Sequence, residues 1–133
     1  MTKPLTLLVC MTVFTWVLLI LASLAKARAW TPRGLLLAFG NRADLPEPSP
    51  AAARLDRAAR NTLENLLLFA VLVLTAHAAN VDTPRVVLGA QLFAWSRLVY
   101  VPVYWAGIAY LRTAVWAVSV AGMGLIAAAL LAR

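Results

Sequence analysis

Apolar positions gather into four long runs separated by polar connections. The first run is Leu5–Ala25. The second covers about Leu63–Ala79 and is preceded by a polar helical lead-in from Arg57; the third is Val86–Trp105 and the fourth Ala114–Ala132. Each is close to the roughly 20 residues that an α-helix needs to cross a bilayer. Backbone groups in hydrocarbon must be hydrogen-bonded within the chain, so helices are the natural filling for such runs. The connections "NVDTPR" and "AGIAYLRT" are short, which makes successive helices antiparallel neighbours. The pattern predicts an all-α integral membrane four-helix bundle of up-down topology, one domain over residues 1–133.

The connection between the first two runs is longer. Three prolines in "LPEPSP" preclude a regular helix there. The preceding "RGLLLAFG" reads as a short interfacial segment. The first apolar run has 21 residues, longer than the about 7–15 of a signal-peptide core, so it reads as a retained span.

Composition agrees. Hydrophobic residues make up 63% of the chain and charged residues 13%, against roughly 45–50% and about 25% in soluble domains. The net charge of +7 is dispersed between the spans rather than collected in one patch, which argues against nucleic acid. From Lys26 to Arg60 the first connection carries seven Lys or Arg, whereas the second carries only Arg85. By the positive-inside rule the first and third connections face the cytoplasm and both termini lie outside. Trp30, Trp105, Tyr110 and Trp116 fall near the cytoplasmic ends, as an aromatic belt would. A lone cysteine, Cys10, excludes a disulfide framework and reads as a core or lipid-facing residue. His77 reads as an end-of-helix residue, with no metal-binding cluster near it. Metal spacing motifs, phosphate loops and hydrolase triads are absent.

Chemistry gathers in one membrane half. In "RAARNTLEN", Arg57, Arg60, Asn61 and Glu64 share an arc of about 100° on a helix. Arg60 and Glu64 form an i,i+4 pair. The third span contributes "WSRLVYVPVYW", with Arg97, Tyr100 and Tyr104 on one narrow arc and Pro102 in a position to bend the helix. Arg97 lies about two turns inside the membrane, where an arginine faces protein or a wet cavity. Two readings of it stand: a structural ion pair with a residue such as Glu64, or a ligand contact. Arg112 stands near the start of the fourth span. One carboxylate among several arginines is unbalanced for a closed salt-bridge network and suits an anionic ligand. Ala117, Ala121, Gly124 and Ala128 on the fourth span permit close helix packing. A small multidrug exporter, also four-spanned, depends on a carboxylate in its first span, and Leu5–Ala25 has none.

Taken together, "RAARNTLEN" with its R-x3-N-x2-E, "RLVYVPVY", and "YLRTAVW" resemble the MAPEG family, the membrane-associated proteins in eicosanoid and glutathione metabolism. "GNRADLPE" and "GAQLFAW" look like its short bacterial branch, and the resemblance covers about residues 5 to 131. It implies a homotrimer that binds glutathione between subunits near the cytoplasmic face, in a bacterial inner membrane. It also implies that Arg57, Asn61, Glu64, Tyr100 and Tyr104 bind glutathione and that Arg112 activates the thiol. Arg97 matches a family position with a binding or a structural role, and Lys26 or Arg28 would add a basic contact. The implied activity is a membrane-bound glutathione transferase, with peroxidase activity toward lipid hydroperoxides, acting on lipophilic small molecules. The alternative is a non-catalytic member binding an amphipathic anion or a partner protein. Two departures stand out: Ala53-Arg54 replaces the family's usual Glu-Arg, and Asn65 stands where better-known members often carry an aromatic or other residue.

Overall fold

The computed structural model describes residues 1–132. The described residues form five helices: α1 Lys3–Ala27, α2 Pro32–Phe39, α3 Pro50–Ala78, α4 Pro84–Trp105 and α5 Ala109–Leu131. Four of them are long and apolar enough to span a membrane; α2, of 8 residues, is the exception. It occupies the stretch expected as an interfacial segment.

Three helix starts share one device. Thr31, Ser49 and Thr83 each precede a proline, and each side-chain oxygen accepts the backbone N–H three residues on. Such a cap satisfies a donor that the helix cannot, while proline at the first helical position costs no hydrogen bond. This places the start of α3 at Pro50 rather than at the Arg57 lead-in. At the other boundary, α5 begins at Ala109, so Arg112 lies within the helix rather than in a connection. Pro102 sits in the last turn of α4, and the helix continues to Trp105.

α4 packs most extensively on α5, and α1 on α3, with α3 against α4 closing the bundle. The core has two parts. One is built around Met11, Phe69, Phe93 and Ile126, with the Phe69 and Phe93 rings stacked at 4.1 Å. The other joins Leu18, Ala22, Ala58, Ala59, Tyr100 and Val101.

α4 and α5 cross with their backbones nearly touching. A Cβ on Gly89 would come within 2.5 Å of the Gly122 carbonyl oxygen, and one on Gly122 within 2.6 Å of the Gly89 oxygen. Side-chain-free positions are what allow helix backbones this close in a membrane protein. The small residues singled out from the sequence do not make this crossing. Ala117, Ala121, Gly124 and Ala128 face outward, and nothing lies within 4 Å of a Cβ placed on Gly124. Small size permits close approach on any face; the buried face of α5 is set by Ser119, Gly122, Met123 and Ile126.

Candidate functional site

At the end of the bundle where α3 and α5 begin and α4 finishes lies a cleft of about 430 Å³. α3 lines it with Arg57, Arg60, Asn61 and Glu64, α4 with Tyr100 and Tyr104, and α5 with Arg112, Thr113 and Trp116. Of the candidates from the sequence, Arg57, Asn61, Glu64, Tyr100, Tyr104 and Arg112 line this cleft, and Arg97, Lys26 and Arg28 do not. Arg60, Thr113 and Trp116 line it as well, beyond the residues that the sequence motifs mark. Arg60 shares the α3 arc, which is its signal in the sequence; Thr113 and Trp116 reach the cleft because α5 starts at Ala109.

Arg97 lies beneath the cleft and is fully buried at 0% exposure. Its Nη1 donates to the Asn61 side-chain oxygen at 2.9 Å. The guanidinium also rests on the Tyr100 ring, 4.6 Å from its centroid, and lies 5.9 Å from that of Phe93. Among the described residues Nε and Nη2 have no hydrogen-bond partner. No carboxylate among the described residues lies within ion-pair distance of Arg97, so of its two readings the ion pair with Glu64 does not form. A buried charge held by one amide and a ring face is poorly compensated.

That bond fixes Asn61. A guanidinium can only donate, so the Asn61 oxygen turns inward and its NH2 turns away from Arg97. Asn65 reinforces this from one turn along α3, its Nδ2 donating to the Asn61 side-chain oxygen at 3.4 Å as well as to the Asn61 backbone carbonyl at 2.8 Å. Asn61 thus offers donors, a match for an acceptor on a ligand.

Tyr104 is held from two sides. Arg57 Nε donates to its hydroxyl oxygen at 3.2 Å, and the Arg112 guanidinium lies over its ring at 4.5 Å. Tyr100 meets it edge to face at 5.6 Å. With its oxygen already accepting from Arg57, the Tyr104 hydroxyl hydrogen is available to a ligand acceptor. Arg112 lies in the first turn of α5, whose N-cap Ile108 supplies no side-chain acceptor. The positive end of that helix adds to the guanidinium's field.

Arg60 does not pair with Glu64. It reaches back to Asp56, Nε to Oδ2 at 3.1 Å, and Asp56 also faces Lys26 at 3.5 Å. Helical side chains lean toward the N-terminus, so an arginine meets a carboxylate one turn before it more readily than one turn after. Glu64 is left exposed and, among the described residues, without an ion pair or hydrogen bond. Lys26 is engaged with Asp56, and Arg28 lines a different cavity. Arg54, beside the departure at Ala53, donates from Nε to the Trp105 carbonyl oxygen at 2.9 Å and ties α3 to the end of α4.

The cleft therefore presents three arginines, one unpaired carboxylate, two tyrosines and an oriented amide. The model of the MAPEG family matches residues 4–132. The chain belongs to the MAPEG family. No curated protein and no solved structure matches it. Membership, together with four long apolar helices, makes this MAPEG chain an integral multi-pass membrane protein. The R-x3-N-x2-E of α3 and both tyrosines of α4 meet at the cleft, although 47 positions separate Arg57 from Tyr104.

Proposed function

We propose that this MAPEG protein is a membrane-bound glutathione transferase that joins the glutathione sulfur to lipophilic electrophiles. The observation that carries the reading is the unpaired Glu64 in a cleft otherwise lined by Arg57, Arg60 and Arg112. Glutathione carries two carboxylates, one α-ammonium group and a thiol. The arginines answer the carboxylates through charge-assisted hydrogen bonds, Glu64 answers the ammonium, and Asn61 and Tyr104 donate to remaining acceptors. A closed structural network would have consumed Glu64; its freedom supports a ligand that supplies the cation.

Arg112 supplies the chemistry. A thiol with pKa near 8.5 is only a few per cent thiolate at neutral pH. A guanidinium beside the sulfur stabilises the anion, more strongly in a partly desolvated cleft. The thiolate attacks the electrophilic carbon, forming the C–S bond as the leaving group departs with its electron pair. With a lipid hydroperoxide the same thiolate attacks the terminal oxygen, the O–O bond breaks and the lipid alkoxide leaves to be protonated to the alcohol; a second glutathione thiol then displaces water from the sulfenic acid and forms the disulfide. Substrates dissolved in the bilayer enter from the side.

The reading includes a homotrimer with the clefts between subunits and the basic connection in the cytoplasm, where thiols are reduced. It is tested by measuring glutathione binding to the detergent-purified protein, then turnover with chlorodinitrobenzene. Binding with turnover supports a transferase; binding without turnover indicates a non-catalytic member; no binding overturns the reading.

A further inference from the structure

A second polar cavity lies apart from the cleft, where α1 ends and α2 begins. It measures about 270 Å³, and Arg28, Arg33, Thr31, Gly34 and Asp44 are among the residues lining it. That is slightly below the roughly 300–1,000 Å³ of pockets for drug-sized ligands, which favours a small head group. The turn that builds it is tightly specified. Arg28 adopts a left-handed backbone conformation at φ 52°, and Thr31 Oγ1 donates to the Arg28 carbonyl at 2.9 Å while accepting from Gly34 N–H at 3.0 Å. A Cβ on Gly34 would stand 1.9 Å from the Arg28 carbonyl oxygen, so only glycine lets α2 fold back this closely.

The charges in this cavity are mostly unused. Arg33 has no hydrogen bond or ion pair among the described residues, and Asp44 has none either. Arg28 reaches only the Glu47 carbonyl, at 3.5 Å. Around them the surface is apolar: Trp30 is 72% exposed, Leu36 75% and Phe39 85%. These residues follow directly on a membrane-spanning helix, which places them at the bilayer surface, where aromatic and aliphatic side chains enter the lipid and arginines meet head groups.

We propose that this cavity binds the head group of a phospholipid carrying both a phosphate and a primary ammonium, with Arg28 and Arg33 on the phosphate and Asp44 on the ammonium. Two guanidiniums and one carboxylate complement that pair of charges. A purely anionic head group would leave Asp44 facing like charge, and a quaternary ammonium offers Asp44 no hydrogen to donate. Trp30, Leu36 and Phe39 engage the acyl region, so the occupant is a membrane lipid rather than a free head group.

Native mass spectrometry of the full-length protein, with phosphatidylethanolamine, phosphatidylglycerol and phosphatidylcholine of matched acyl chains, tests this. Phosphatidylethanolamine is expected to be retained preferentially. Arg33→Ala should weaken its retention by about tenfold, the cost of one charge-assisted contact. Arg33→Lys should restore part of it, which separates lost charge from lost fold. Asp44→Asn should erase the preference over phosphatidylglycerol. Equal retention of all three lipids, or retention insensitive to Arg33→Ala in a folded variant, overturns the proposal. Binding of soluble phosphoethanolamine as tightly as the whole lipid overturns it too, because the acyl region would then contribute nothing and a free head group would be the ligand. Glutathione binding at the other cleft is read separately and does not bear on these outcomes.

Discussion

The 2.9 Å bond from Arg97 Nη1 to the Asn61 side-chain oxygen decides which end of the Asn61 amide faces the cleft. Arg97 would otherwise be a fully buried cation without a partner atom. The same contact therefore holds the fold and aims the site. Asn61→Asp separates the two roles. A carboxylate gives Arg97 a charged partner, so thermal stability should hold or rise, while the cleft gains an acceptor where it had donors. Glutathione affinity should fall at least about tenfold, in line with one charge-assisted contact turned repulsive. Asn61→Ala should lose both, with about 1–3 kcal/mol of stability gone because Arg97 is left unsatisfied. Unchanged glutathione binding by a folded Asn61→Asp variant would contradict the orientation argument.

Glu64 is exposed and unpaired, so its removal should not disturb the fold. Glu64→Gln and Glu64→Ala should unfold within about 0.5 kcal/mol of the wild type, as surface substitutions do. Both should weaken glutathione binding, since shape without charge does not hold an ammonium. Calorimetric titration beside a melting curve reads the two effects independently. A stability loss with intact binding would return Glu64 to a structural role.

Gly89 and Gly122 set how closely α4, which carries Arg97, Tyr100 and Tyr104, meets α5, which carries Arg112. Gly89→Ala puts a methyl group against backbone, which cannot move aside as a side-chain tip can. It should cost about 1–3 kcal/mol as overpacking and shift Arg112 relative to Tyr104. Gly124→Ala, two positions beyond Gly122 and facing open space, should be neutral or slightly stabilising through helix propensity. Equal melting temperatures for the two variants would refute the close crossing.

Much of this was legible in the chain. Four apolar runs gave the helices, because the length requirement of a bilayer is strict. The arc of Arg57, Asn61 and Glu64 and that of Tyr100 and Tyr104 met as expected, because helical spacing fixes which side chains share a face. The start of α3 is marked by Ser49-Pro50, a cap with proline at the first helical position, and not by the polar residues from Arg57 onward. Pairings were the least legible. Arg60 had carboxylates one turn away in both directions, and sequence spacing alone does not choose Asp56 over Glu64; the lean of helical side chains and the nearby Lys26 do. The outward turn of Ala117 and Gly124 followed from packing with α4, which no local pattern on α5 records.

Arg112 carries the central claim, that this cleft activates a thiol. Its guanidinium lies over the Tyr104 ring at the cleft wall, and its removal takes away the stabilising charge without removing Arg57, Asn61 or Glu64. The most direct measurement is the ultraviolet thiolate absorbance of glutathione bound to wild type and to Arg112→Leu at neutral pH, with turnover of chlorodinitrobenzene recorded on the same samples. The account predicts that Arg112→Leu still binds glutathione but loses the thiolate absorbance and most of its rate, recovering part of the rate at high pH where solvent deprotonates the thiol. Thiolate absorbance and a neutral-pH rate equal to wild type in Arg112→Leu would contradict it.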